Sequence, residues 1–196
     1  TLAGWVGGAC WWLDALYDRL GHHVFASDHI FADDTPIPVL DPGRGRTKTG
    51  RLWVYARDQR GWTGPEPPAA ICYYEPDRKA ERPKAHLVGY RGTLHVDGYA
   101  GFEQLTADGR IRLAACWAHT RRKFYEIAKA DGAPIALETV QRIAELYAIE
   151  TRIRGKTPDE RQALRQVESR PLVDALRTWL EVQLPRLSAR GKLAEA

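Results

Sequence analysis

The sequence has no methionine and only three cysteines in 196 residues. Cys10, Cys72 and Cys116 are odd in number and widely spaced, which speaks against the disulfide framework of a small secreted domain and for a reducing, cytoplasmic setting. Long apolar runs are missing as well. Mean hydropathy is -0.45, and no stretch approaches the roughly 20 residues that a membrane helix needs. The opening residues, Thr1-Leu2-Ala3-Gly4-Trp5, lack the charged region that begins a secretory signal. Low-complexity tracts are absent too, so disorder is not expected. Without methionine the chain does not open on a translational start. It closes on Lys192-Leu193-Ala194-Glu195-Ala196, good helix formers that read as an unfinished helix. A piece of a longer protein is therefore expected.

The chain does have enough apolar material for one good core, at 44% hydrophobic residues. Its net charge of +4 and pI near 9.0 are modest, so the clustering of cations says more than their sum. Arg44, Arg46, Lys48 and Arg51 share a Gly-rich loop, while Arg78, Lys79, Arg82 and Lys84 share another. Arg121, Arg122 and Lys123 open a predicted helix. A single cluster reads as a solvated surface. Three of them flanking one site point to a polyanion such as DNA.

That site is marked by carboxylates at the ends of two apolar runs. Leu94-His95-Val96-Asp97-Gly98 alternates like a short strand and stops at a glycine. Ile30-Phe31-Ala32-Asp33-Asp34-Thr35 is a second such run. Two strands that each deliver an Asp to one point are the minimum for holding Mg²⁺ or Mn²⁺ through oxygen ligands. Phosphodiester chemistry by two ions about 3.5–4 Å apart needs more anionic oxygens than two Asp provide, so a third carboxylate is expected. Because adjacent strand residues face opposite ways, only one of Asp33 and Asp34 can lead into the site. Each Asp could instead simply cap a turn, before Gly98 or before Pro36. Cys116-Trp117-Ala118-His119 is half a zinc signature with no second half. Cys116 then reads as a buried strand residue, and His119 as a supporting or phosphate-contacting group.

The coarse order of elements is β-β-β-α-β-α-β-α followed by helices alone. Residues 1–26 read as a helical lead-in, with Ala9, Trp12, Leu13, Leu16 and Leu20 on its apolar face, a packed Trp11-Trp12 pair and Gly21 as its stop. Residues 27–135 read as a ribonuclease-H-like α/β domain with a mixed five-stranded sheet and flanking helices. Its first three strands form an antiparallel meander, and Pro36 and Pro38 force the first to bend or leave the sheet. Residues 136–196 read as an all-helical region. Leu137, Val140, Ala144 and Tyr147 mark its first helix, Thr157-Pro158-Asp159-Glu160 is a capping box, and Pro171 breaks or kinks the helix after it.

Taken together, these residues resemble the insertion sequence 66 family of transposases, in the DDE superfamily. The likeness runs through Ala32-Asp33-Asp34-Thr35-Pro36, where the family usually shows Asp-Glu-Thr, and Leu40-Asp41-Pro42-Gly43-Arg44-Gly45. It continues through Thr49 to Tyr55, Asp97-Gly98-Tyr99-Ala100-Gly101-Phe102, Ala115 to His119 with Arg121 to Phe124, and Leu146-Tyr147 with Ile149-Glu150. It implies that Asp33 and Asp97 are the first two catalytic carboxylates, that two Mg²⁺ or Mn²⁺ ions serve the complete enzyme, and that Cys116 and His119 are the family's Cys-x-x-His. The implied partners are transposon ends and target DNA, with an oligomer assembled on paired ends. The family's third carboxylate lies in an Asp-Asn-Asn…Glu-Arg segment that this sequence lacks, so a fragment inactive by itself is expected. Two other readings stay open. One is a metal-dependent nuclease on the same fold, using a helical Glu as third ligand. The other is a non-catalytic DNA-binding or inhibitory module.

Overall fold

The structure, a computed structural model, describes residues 1–188 and 191–196. Five strands form one mixed sheet: β1 (His29–Val39), β2 (Lys48–Arg57), β3 (Ala69–Glu75), β4 (Gly92–Val96) and β5 (Ile111–Ala115), in the order β3-β2-β1-β4-β5. The first three are the expected antiparallel meander, and β4 and β5 extend it in parallel from β1. This is the ribonuclease-H-like arrangement. The helices are α1 (Leu2–Phe25), α2 (Glu81–His86), α3 (Trp117–Asp131), α4 (Pro134–Arg152), α5 (Pro158–Leu164), α6 (Arg170–Gln183) and the short α7 (Lys192–Glu195). The chain divides into two compact units, Thr1–Ala115 and Cys116–Ala196, so α3 groups with the later helices and not with the sheet.

Alternation decides which side chains form the sheet's core. Ile30 and Ala32 of β1, Trp53 and Tyr55 of β2, Ile71 of β3, and Leu94 and Val96 of β4 are all buried. The register aligns them across the strands: Ala32 lies beside Tyr55, Tyr55 beside Ile71, and Ile30 beside Leu94. Phe102 and Leu105, in the helical turns after β4, close this core.

The first strand runs four residues beyond the expected end, through both prolines. It pairs with β4 only over His29–Phe31, so beyond that point one edge has no ladder to satisfy. Pro36 and Pro38, two residues apart, present their missing donors to the same edge while β2 pairs along the other.

Helix α1 departs from its expected packing. It does not stop at Gly21, which is buried inside the helix where an added Cβ would lie 3.1 Å from Ile71 Cδ1. The glycine serves close approach to β3, not termination. Tyr17, on the turn before, donates its hydroxyl to the Cys72 carbonyl at 2.7 Å. The apolar residues before it are exposed: Trp11 and Trp12 at 66% and 77%, with Leu13 and Leu16 alongside. The tryptophans pack edge to face on each other and not in a core.

In the second unit, α4 buries Ala136, Thr139, Ile143, Leu146 and Ile149. The expected stripe was one residue out of phase: Leu137 and Tyr147 are exposed, and of that set only Val140 packs inward. Apolar residues occur on both sides of this helix, so spacing alone did not choose its face. The capping box at Thr157 and Glu160 is formed in both directions. Pro171 neither breaks nor ends the helical path. A π-helical segment, Arg165–Ser169, joins α5 to α6 and puts Pro171 in the first turn of α6, where its missing donor costs little.

Beneath the sheet of the first unit, His86 closes a polar chain. Its Nδ1 lies 3.0 Å from the Tyr55 hydroxyl, its Nε2 3.2 Å from Glu75, and its ring stacks on Tyr73. Burial holds its pKa below the ordinary imidazole value, against the opposing pull of Glu75. The folded protein thus favours the neutral ring, and as pH falls the unfolded chain takes up the proton first. This contribution to stability is complete above about pH 6.5 and is lost as pH falls towards the lowered folded value. His86→Gln should flatten the fall in thermal midpoint between about pH 7.5 and 5.5. An unchanged fall would rule His86 out as its source.

Candidate metal centre

The parallel pairing of β1 with β4 fixes an offset. His29 lies beside Thr93, Ile30 beside Leu94, and Phe31 beside His95. The ladder ends at that last pair, whose rings stack at 4.7 Å between centroids. The same offset counted two residues on matches Asp33 with Asp97, while the Asp97 carboxylate itself meets Arg78, the partner of Asp34. Burial, and then the neighbouring His29, lower the pKa of His95, so a neutral imidazole lies two residues before Asp97.

The two neighbouring carboxylates of β1 have different surroundings. Asp33 is on the exposed face, and its Oδ1 accepts the Asp34 N–H at 2.8 Å. That donor faces the edge of β1 that has no strand partner. Asp34 follows Ile30 and Ala32 on the core face, beside Trp53, and its side chain is 1% exposed. A carboxylate so placed needs compensation. It receives two guanidiniums, Arg51 at 2.9 Å and Arg78 at 2.7 Å. Arg51 has the same side of β2 as Trp53 by alternation. Of the four cations expected to meet DNA from this loop, it is therefore committed to an internal ion pair.

Asp97 directly follows β4, and Gly98 then turns the chain at φ +91°, a conformation that favours glycine. Its Oδ1 accepts the Tyr99 N–H at 2.9 Å, so the turn-capping role also exists. Its Oδ2 lies 3.4 Å from Arg78 Nη2. Arg78 is held further by its guanidinium lying 4.1 Å from the Tyr99 ring centroid, and by the Tyr99 hydroxyl, which donates to the Arg78 carbonyl. In the sequence Arg78 is one of a basic cluster, and its separation from Asp34 and Asp97 along the chain hides the contact.

The other expected residues are placed as follows. Arg44, Arg46 and Lys48 are exposed around the β1–β2 hairpin, Arg44 pairing with Asp41 at 3.0 Å. Cys116 is half-buried and caps the start of α3 and is not within β5, correcting the expected strand position. His119 is in the first turn of α3, and its Nδ1 is buried with no hydrogen-bond partner among the described residues. Because α3 starts at Trp117, Arg121, Arg122 and Lys123 occupy its second turn and do not open it. Arg121 lies over Tyr125.

Oxygen donors alone suit a hard divalent cation. Among the described residues no group of three or more His, Cys, Asp or Glu side chains is arranged to hold a metal. Five of the helical glutamates have local partners: Glu138 with Arg142, Glu150 with Arg165, Glu168 with Arg152, Glu181 with Arg177, and Glu160 in its capping box.

An α/β protein with a mixed five-stranded sheet in this strand order and with flanking helices falls within the ribonuclease-H-like class. The chain belongs to the family described as Transposase IS66 family, whose sequence pattern matches residues 1–196. Among curated proteins it is 40% identical to the uncharacterized protein y4jD of Sinorhizobium fredii and 41% identical to y4hP of the same organism, in each case across the whole of this chain. A third relative there, y4qI, is 36% identical. The chain spans 40% of the length of y4jD and 38% of the other two. No solved structure matches. Among the described residues no helix is long and apolar enough to cross a membrane.

The surroundings of the two β1 carboxylates predict opposite responses to neutralisation. Asp34→Asn should cost about 2–3 kcal/mol in urea unfolding, below the usual loss for a broken buried pair because both guanidiniums are partly solvated. Asp33→Asn should change stability by no more than about 0.5 kcal/mol. Equal losses would contradict the division of roles.

Proposed function

We propose that this chain is the part of a DDE-type DNA transposase core that carries two of its three carboxylates. In the longer protein it would take part in metal-dependent cleavage at transposon ends and in strand transfer. The observation that supports this reading is the β1–β4 register, whose offset, counted two residues past its last pair at Phe31 and His95, matches Asp33 with Asp97. Asp33 and Asp97 would hold divalent ions, which would supply Lewis acidity to phosphodiester cleavage. Asp34 does not ligate. It neutralises and orients Arg51 and Arg78 beside the site. Arg44, Arg46 and Lys48, with Arg122 and Lys123, supply the phosphate-binding charge, while Cys116 and His119 support the start of α3. The third carboxylate and the contacts that pair two DNA ends belong to the remainder of the protein, which acts as an oligomer.

The nuclease alternative needs a helical Glu free to join the two Asp. The local ion pairs and cap of Glu138, Glu150, Glu160, Glu168 and Glu181 weigh against it.

Calorimetric titration with Mn²⁺ tests the assignment. Weak binding by the 196-residue chain, lost in both Asp33→Ala and Asp97→Ala, is the expected result. Binding indifferent to either change would remove the proposed site and leave DNA binding without catalysis as the better reading. The chain alone should nick supercoiled DNA no faster than the Asp97→Ala variant. Robust nicking that disappears in that variant would show that the two-carboxylate description is incomplete.

A further inference from the structure

We infer that Arg78 is a positioning residue that occupies the cation's place beside Asp97 until a metal ion displaces it. This rests on the reading of Asp97 as a ligand and extends it to a residue outside the acidic set.

The argument starts from Asp34. Its buried carboxylate cannot stay charged without partners, and one of its two partners is Arg78 Nε at 2.7 Å. That contact anchors one edge of the guanidinium through Nε. The ring of Tyr99 lies against its face, and the Tyr99 hydroxyl donates to the Arg78 backbone carbonyl. The neighbouring donor on the same edge, Nη2, is thereby presented to Asp97, 3.4 Å from Oδ2. The Asp97 contact is the longest and most open of the set: its carboxylate is 23% exposed, against 1% for Asp34. It is the one contact that can be exchanged without exposing a buried charge.

A guanidinium and a divalent ion both compensate a carboxylate, and where both lie against one oxygen their like charges repel. The other oxygen of Asp97 is engaged by the Tyr99 N–H. Ligation through Oδ2 therefore competes with Arg78 Nη2, while Nε remains on Asp34. Arg78 keeps Asp97 compensated and oriented before loading, at a cost in metal affinity. Arg51 gives Asp34 a second partner, so Arg78 can yield at one end without the pair collapsing.

Two measurements test this. Arg78→Gln leaves Asp34 paired with Arg51 and removes the competitor. Its Mn²⁺ affinity by calorimetry should rise about tenfold, the scale of removing one positive charge some 5 Å from a divalent ion in a solvated site. In the unaltered chain, side-chain nitrogen NMR during Mg²⁺ titration should show the Arg78 Nη signals shifting while Nε stays hydrogen-bonded. That readout does not depend on the variant folding. If Asp97→Ala abolishes binding but Arg78→Gln binds no tighter and the Arg78 signals do not move, the exchange is wrong and the metal assignment stands. If Asp97→Ala leaves binding intact, the metal assignment itself fails, and the exchange with it.

Discussion

The structure of the sheet unit depends on three residue pairs, where β1 and β4 run side by side over His29–Phe31 and Thr93–His95. Parallel pairing cannot be made by a hairpin. It requires the chain to leave after β3, pass through α2 and return, and that crossover converts an antiparallel meander into a mixed sheet. The pairing also sets a register in which a slip of one residue would turn every side chain of β4 to the other face. Leu94 and Val96 would then leave the core.

The pairing stops early, and its shortness has consequences. Beyond Phe31 one edge of β1 is without a ladder, so two prolines are tolerated in a strand that otherwise sits centrally. The N–H of Asp34, on that edge, turns to the Asp33 carboxylate instead. The splaying of β1 and β4 past their last pair is the general circumstance in which strand ends leave room for a ligand. The same edge thus accounts for an odd feature of the sequence and for the placement of the acidic groups.

Charge around these strand ends is arranged in opposed pairs. Two carboxylates, Asp34 and Asp97, meet two guanidiniums, Arg51 and Arg78, with the deepest of the four bonded to both cations. Asp33 lies outside this set on the open face. Two adjacent residues with the same side chain thereby do different work: one is a buried counter-charge and the other remains available to solvent. An exposed ion pair contributes little to stability, but a buried carboxylate that lost its partners would be costly. That asymmetry makes Asp34 the structural member of the adjacent pair.

The elements themselves were legible in the sequence because local rules specify them. Alternating apolar residues define the strands, Gly132 and the Thr157–Glu160 box bound helices, and a meander follows from three strands joined by short loops. The acidic strand ends were legible for the same reason. Faces and partners were not. The α4 helix carries apolar residues on two sides, and only packing selected Ile143 and Leu146 over Leu137 and Tyr147. Gly21 looked like a stop until β3 was seen lying against it. The different surroundings of Asp33 and Asp34 needed the register with β2, and the contacts of Arg78 needed the fold of the loop between β3 and α2. Periodicity reports what one segment can do. A contact between residues 34, 51, 78 and 97 depends on which segments become neighbours, and only long-range strand pairing decides that.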